Sequence, residues 1–353
     1  RSDHFTFAAG RTVNLGGILT LGMVSQENGS TLENAGTITD VEEKDEKWIK
    51  DMKYDTTGAG AGKYLSIMGP GYDPANADAT VYKIKKSTDG YVGYKVAIAQ
   101  VQENDNQGQN ILLNTGVIDF RGERSIGIYA YIPRHLSNNT RSEAKLLNRG
   151  NIRLSGAESY GMKFAAKAGT NVEMTNEANA TITLRKNPNG VDKADNSAAM
   201  ALMADSSVAD KVSLAAGKAV NNGTINLQDN ISNALGMFVN IDSNMTNNKN
   251  INISARAQKA SGQYKLNVGM RADQVESAYS TTTGAYDTTV INAANGNISI
   301  TGQGAIGMVA NGVNTAGPNG KGTATAINRG TISLDKGTAA TAALRGKDSY
   351  GML

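Results

Sequence analysis

The chain has 353 residues, a net charge of +3, 39% hydrophobic but only 5% aromatic residues, and no cysteine. The missing thiols exclude disulfides, thiolate catalysis and cysteine-ligated metals, and in a chain exported unfolded they also avoid premature bridging. The small, scattered charge leaves no nucleic-acid footprint, and the shortage of bulky anchors favours a long core of Ile, Leu, Val, Met and Ala over one globular core.

In chain order, the dominant element is a recurring phrase: Asn, any residue, Gly, any residue, Ile, any residue, then an apolar residue. Weak copies start at Asn14 and at Asn34. Full copies run Asn114-Thr115-Gly116-Val117-Ile118-Asp119-Phe120, Asn148-Arg149-Gly150-Asn151-Ile152-Arg153-Leu154, Asn221-Asn222-Gly223-Thr224-Ile225-Asn226-Leu227 and Asn328-Arg329-Gly330-Thr331-Ile332-Ser333-Leu334. Further weak copies fall at Asn176, at Asn247 and around Gly296. A unit repeated every few tens of residues is the mark of a solenoid.

Two further phrases accompany the first. One is Gly-Met-x-Ala or a relative, as at Gly127, Gly161, Gly236, Gly269 and Gly307; the other is an apolar pair leading into the next Asn, as in Leu112-Leu113-Asn114 and Leu146-Leu147-Asn148. Ile118 to Gly127 and Ile152 to Gly161 are each nine positions (127 − 118, 161 − 152), so two phrases keep register. Apolar residues at i and i+2 give the period of a strand with one buried face. Three short strands per unit make one coil of a parallel β-helix, so the chain is expected to be an all-β, right-handed solenoid of roughly eight coils. Within it Gly is expected to supply turns with φ > 0, and Asn to satisfy turn backbone while stacking on the Asn of the next coil. The residues between the inward positions, among them Thr181, Thr183, Thr224, Asn226, Thr331 and Ser333, are mostly small and polar.

The largest interruption spans residues 40–91, with the coil resuming at Val92-Gly93-Tyr94-Lys95-Val96. Its charged start, residues 41–54, suits a short amphipathic helix. The segment holds Trp48, Tyr54, Tyr64, Tyr72 and Tyr82, a concentration of aromatic area fit for a ligand- or receptor-binding surface, or for the small core that a protrusion needs. Insertions at 131–143, 185–196, 271–289 and 311–323 read as solvated loops.

Several chemical motifs fail. Residues 58–63 miss the phosphate-loop frame at Thr57 and Tyr64. With only His4 and His135, a Ser-His-Asp triad or a histidine metal site has little to be built from. Asp40, Glu42, Glu43, Asp45 and Glu46 could chelate calcium loosely, although a solvated helix face is the better reading. No cofactor or resident metal is implied. A polysaccharide-cleaving β-helix would need acids clustered with acids or Arg on one face, and no such ladder shows in the alternation.

The phrase pair at Asn328 to Leu334 and Ser349 to Met352 resembles the passenger repeats of the very large fusobacterial type V autotransporter adhesins. The resemblance implies a monomeric passenger displayed on the outer membrane through a C-terminal barrel, with Arg1-Ser2-Asp3-His4 and Ser349-Tyr350-Gly351-Met352-Leu353 as the cut ends of a longer polypeptide. It also implies attachment as the function: coaggregation with other bacteria, in one case inhibited by arginine, or binding of galactose or N-acetylgalactosamine glycans and of the immune receptor TIGIT. A non-enzymatic adhesin fragment is therefore expected, with a pure spacer segment and a glycan-active enzyme as the alternatives.

Overall fold

A computed structural model describes residues 4–15, 21–25, 29–40, 85–87, 90–92, 94–101, 109–132, 143–166, 171–204, 217–241, 243–273, 287–312, 323–335 and 348–353. The described chain forms three nine-stranded parallel sheets, each assembled from every third main strand, with no helix among the described residues. The result is a right-handed parallel β-helix of nine coils, each contributing one strand to sheet A, one to B and one to C. At about 4.8 Å per coil the stack is about 38 Å tall.

Coil four shows the plan: Glu143–Asn148 in sheet A, Asn151–Leu154 in B and Tyr160–Ala166 in C. Ile118 lies directly beside Ile152, which lies beside Ile182 and so on up the B sheet. From Val117–Phe120 to Asn297–Ile300 the B strands alternate half-buried and buried positions, as the i, i+2 pattern requires, while the B strands of the two end coils are more exposed. The inward file of sheet C is Ile98, Ile128, Met162, Met200, Met237, Met270 and Met308, all sealed from solvent. Unbranched Met fits here because each coil presents a slightly different gap.

The corner between sheets A and B is the constant one. Asn34, Asn114, Asn148, Asn176, Asn221, Asn247, Asn292 and Asn328 form a vertical file in which each side-chain N–H donates to the amide oxygen of the next, all seven bonds at 2.8 Å. The first seven are fully buried. An amide carries both donor and acceptor, so it can pass a hydrogen bond indefinitely along a stack, which Ser or Asp cannot do with the same geometry. The file stops at coil one, where Phe7 pairs with Asn34 and leaves the Asn34 Oδ1 without a partner.

Three expectations need correction. The Gly of the phrase does not adopt positive φ: of the described glycines, only Gly10, Gly29, Gly262 and Gly304 do. Gly116 and Gly150 are required because a Cβ would collide with the carbonyl oxygens of Gly36 and Gly116 in the preceding coil. Asn14 is not a file member; it pairs with Thr39 at the end of a B strand, and Phe7 takes the file position. Finally, the C strand of coil two is Lys95–Val101, with Val96, Ala97 and Ile98 where coil three has Ile126, Gly127 and Ile128. The true partner phrase therefore lies four residues beyond Gly93, and its Ala hid it.

Residues 41–84, 88, 89 and 93 lie outside the described residues, and with them the expected helix and Trp48, Tyr54, Tyr64, Tyr72 and Tyr82. Lys85–Ser87 and Gly90–Val92 pair antiparallel in a sheet of their own, so the break in the solenoid runs from 41 to 94.

Register and file each yield a test. Ile152→Asp should cost at least about 3 kcal/mol in urea unfolding, since it strands a charge in the core, whereas Thr331→Asp, on an exposed site, should stay within about 0.5 kcal/mol. Asn176→Ala, which severs two links of the file, should destabilise by about 1 to 2 kcal/mol more than Asn34→Ala, which severs one; equal melting shifts would show that the file carries no cooperative load.

Candidate binding surface

Four long interruptions separate a B strand from the C strand of the same coil: residues 40–94 in coil two, 185–197 in coil five, 254–266 in coil seven and 335–349 in coil nine; others, such as 133–142 and 274–286, separate a C strand from the next A strand.

The neck of the first is built from charges. In the phrase Asn34-Ala35-Gly36-Thr37-Ile38-Thr39-Asp40, Asp40 occupies the slot that is Phe120 in coil three and Leu154 in coil four. Its carboxylate is buried, accepts the backbone N–H groups of Arg121 and Gly122 at 2.7 and 2.9 Å, and takes Lys95 Nζ at 2.8 Å. Lys95 in turn stands where coil three has Ser125, and both side chains are sealed, at 1% and 0% exposure. Asp40 is thus spoken for, and the loose calcium cluster imagined for residues 40–46 loses its first member. The chain departs beside this pair and returns at Tyr94, whose ring centroid lies 6.2 Å from that of Tyr160.

Tyr94 opens onto the outer face of sheet C, which is apolar where the outer face of B is polar. Val96, Ala99, Ile126 and Tyr129 form a separate buried cluster there, flanked by Leu21, Val24, Tyr94 and Tyr160. Lys163, 5% exposed, sits 4.2 Å over the Tyr160 ring and 5.2 Å over Tyr94, a cation held by aromatic faces. Burial, with the nearby Tyr160 and Glu158, pushes the Tyr94 phenol far above its ordinary range; burial and then Glu158 raise Tyr160 likewise. Both stay neutral in water at any physiological pH, so they present hydroxyl groups and ring surface and no negative charge.

The second interruption is not a bare loop. Lys186 and Lys193 bridge antiparallel, Asn187 donates its N–H to the Asp192 carbonyl, and the turn lifts Val191 to 84% exposure. The third was not singled out in the sequence, although Ile251 to Gly269 is 18 positions (269 − 251) where nine is the rule. It contains the hairpin Lys259–Ala260 and Gln263–Tyr264, turning through Ser261 and Gly262 with positive φ. Gly304, also at positive φ, sits against the Tyr264 ring, where a Cβ would stand 2.9 Å from Cδ1. Gln303 donates from Nε2 to the Tyr264 hydroxyl at 2.6 Å. Between hairpin and rod lies a cleft of ≈ 550 Å³, reached by Asn230 from coil six, Arg256, Gln258, Lys259 and Tyr264 from coil seven and Gln303 from coil eight.

For catalysis the described residues assemble little. Asp119, Arg153 and Arg185, from three successive coils, do meet outside sheet B, at 3.7 and 3.4 Å, an acid–Arg group that the alternation did not reveal because Arg185 belongs to the insertion. One carboxylate neutralised by two guanidinium groups leaves no second acid for paired acid–base chemistry. No group of three or more His, Asp or Glu among the described residues could hold a metal.

The neck yields a test. Lys95→Met, which leaves Asp40 buried without its counter-ion, should lower stability by about 3 kcal/mol or more, and 0.5 M salt should change the wild-type stability little because the pair is out of solvent. A loss below about 1 kcal/mol would show that water reaches the neck.

No curated protein and no solved structure matches the chain. A family model does, described as BigA third pectate lyase-like domain, over residues 8–284 and again over 215–353. The overlap is what self-similar coils produce, since one model can be laid on the stack in two registers. Together the two matches take in all but the first seven residues, and on that ground the chain belongs to the BigA third pectate lyase-like domain family.

Proposed function

We infer that the chain is a non-catalytic segment of a bacterial surface adhesin, a rigid rod that binds a host glycan, a host receptor or a partner bacterium through the insertions that project from it. The observation that carries this reading is that the coil-breaking segments leave an otherwise repetitive rod at the B–C and C–A corners and spare the short A–B corner, since loops on a rigid scaffold are where repeat proteins place recognition. The family supports it, because its BigA-type members are adhesin-like surface proteins. The resemblance to autotransporter passengers supplies the first ligands to try: galactose or N-acetylgalactosamine glycans, TIGIT, and coaggregating bacteria. It also supplies the display route, an outer-membrane barrel following the passenger.

Within this reading the segment from 40 to 91 is the leading recognition element and Trp48, Tyr54, Tyr64, Tyr72 and Tyr82 its contact residues. Truncating a buried interface aromatic typically costs about 2 kcal/mol or more, so Trp48→Ala should weaken binding at least tenfold. The cleaner experiment replaces residues 41–94 by a short Gly-Ser turn and measures binding to host cells and glycan arrays. Lost binding with an unchanged β-sheet circular dichroism spectrum supports the reading; undiminished binding moves the site to the loops at 131–143 or 271–289, or out of this segment. A rod that binds nothing with every insertion intact would instead be a spacer, a role that the small polar outer face of sheet B suits.

A further inference from the structure

The cleft under the coil-seven hairpin brings two exposed cations and three side-chain amides into one concavity. Arg256 and Lys259 both reach it, both are exposed, and neither is in an ion pair with any carboxylate among the described residues. Of the acids nearby, Asp229 accepts the backbone N–H of Lys186 at 3.0 Å, and Asp348 lies beside Tyr264, where its charge helps to raise the phenol pKa after burial. Other cations on the rod are paired, as Arg124 is with Glu158 and Arg149 with Glu177 at 2.8 Å each, or stand singly on the open surface, as the exposed Lys218 does. Two unpaired cations converging on one concavity raise the local potential for an anion.

The cleft is also held in shape. The Tyr264 ring rests on Gly304, its hydroxyl accepts from Gln303, and Gln258 donates its backbone N–H to Ser232 Oγ at 2.7 Å. Arg256 is tied at both ends of its backbone, its N–H to the Asp229 carbonyl at 2.7 Å and its strand bridge to Gln303. Side chains on such a base bind without a large ordering cost. Lys259 lies 5.4 Å over the Tyr264 ring, which fixes the direction from which its ammonium enters.

We propose that this cleft binds an acidic sugar, its carboxylate taken by Arg256 and Lys259 and its hydroxyl groups by the amides of Asn230, Gln258 and Gln303. Three amides, each donor and acceptor at once, match the dense hydroxyl groups of a sugar ring. A guanidinium fork matches a carboxylate in two parallel bonds. A volume of ≈ 550 Å³ accommodates one or two sugar rings, while the lining offers no apolar pocket to receive the side chains of an acidic peptide. The proposal deepens the adhesin reading and rests on it for the origin of the ligand.

The test uses the 353-residue chain and titration calorimetry. Sialyllactose and a glucuronic-acid-containing disaccharide represent the two sources of a sugar carboxylate, a terminal sialic acid and an internal uronic acid; lactose, the methyl ester of each acid, inorganic phosphate and tetraglutamate are the controls. At least one acid sugar should bind with a Kd of about 1 mM or tighter, and Arg256→Gln with Lys259→Gln should weaken it at least about tenfold. Both replaced residues are exposed, so the double variant should melt as the parent does, which separates lost binding from lost fold. The proposal is overturned if neither acid sugar binds, if the esters or lactose bind as well as the acids, or if phosphate or tetraglutamate binds as tightly. Because purified sugars are used, failure here leaves the cell-binding experiment on residues 41–94 standing, and failure there leaves the cleft standing.

Discussion

A single file of buried amides sets the geometry of this protein. Eight asparagines, one per coil from coil two upward, each donate to the next at 2.8 Å. A hydrogen-bonded buried amide contributes modestly, about 1 kcal/mol, but an unpaired one costs more, so every coil must present its Asn at the same height and angle. That requirement pins the A–B corner. The glycines beside it follow, because a file this close leaves no room for a Cβ between Gly116 and Gly36 or between Gly150 and Gly116.

With one corner pinned, variation is pushed to the other two. Coils differ in length by twenty residues and more, yet B strands stay in direct register from Val13 to Ile332. The B–C corner tolerates a hairpin in coil five, another in coil seven and a long excursion in coil two, each leaving and rejoining strands that are already held by neighbours above and below. The longest excursion has the strongest neck: a buried ion pair in slots that other coils fill with Phe or Leu and with Ser. Such a pair is a poor source of net stability but a strict one for geometry, since either partner alone would be an uncompensated buried charge.

The two outer faces diverge for the same reason. Sheet B faces solvent and alternates with Thr, Asn and Ser, which serve the outer surface of any coil equally. The outer face of sheet C instead carries Val96, Ile126, Tyr129 and the Tyr-ringed Lys163, buried together. Sheet C is therefore apolar on both sides at the lower coils, and Tyr94 packs against its outer cluster.

The sequence alone determined the solenoid, the three strands per coil, the inward file through Ile118 and Ile152, and the stacked Asn, because these are local: a two-residue period and a repeated phrase are visible without any partner. What it missed depends on contacts between coils. Asn14 has the right name but the wrong height, Asp40 reads as surface charge until Lys95 is placed beside it across 55 residues of sequence, and Ala97 fills a glycine slot that only pairing with Gly127 exposes. The Arg256–Lys259 cleft was invisible for the same reason: its walls come from three successive coils, and only the stacking of those coils, about 4.8 Å apart, brings Asn230, Arg256 and Gln303 to one place.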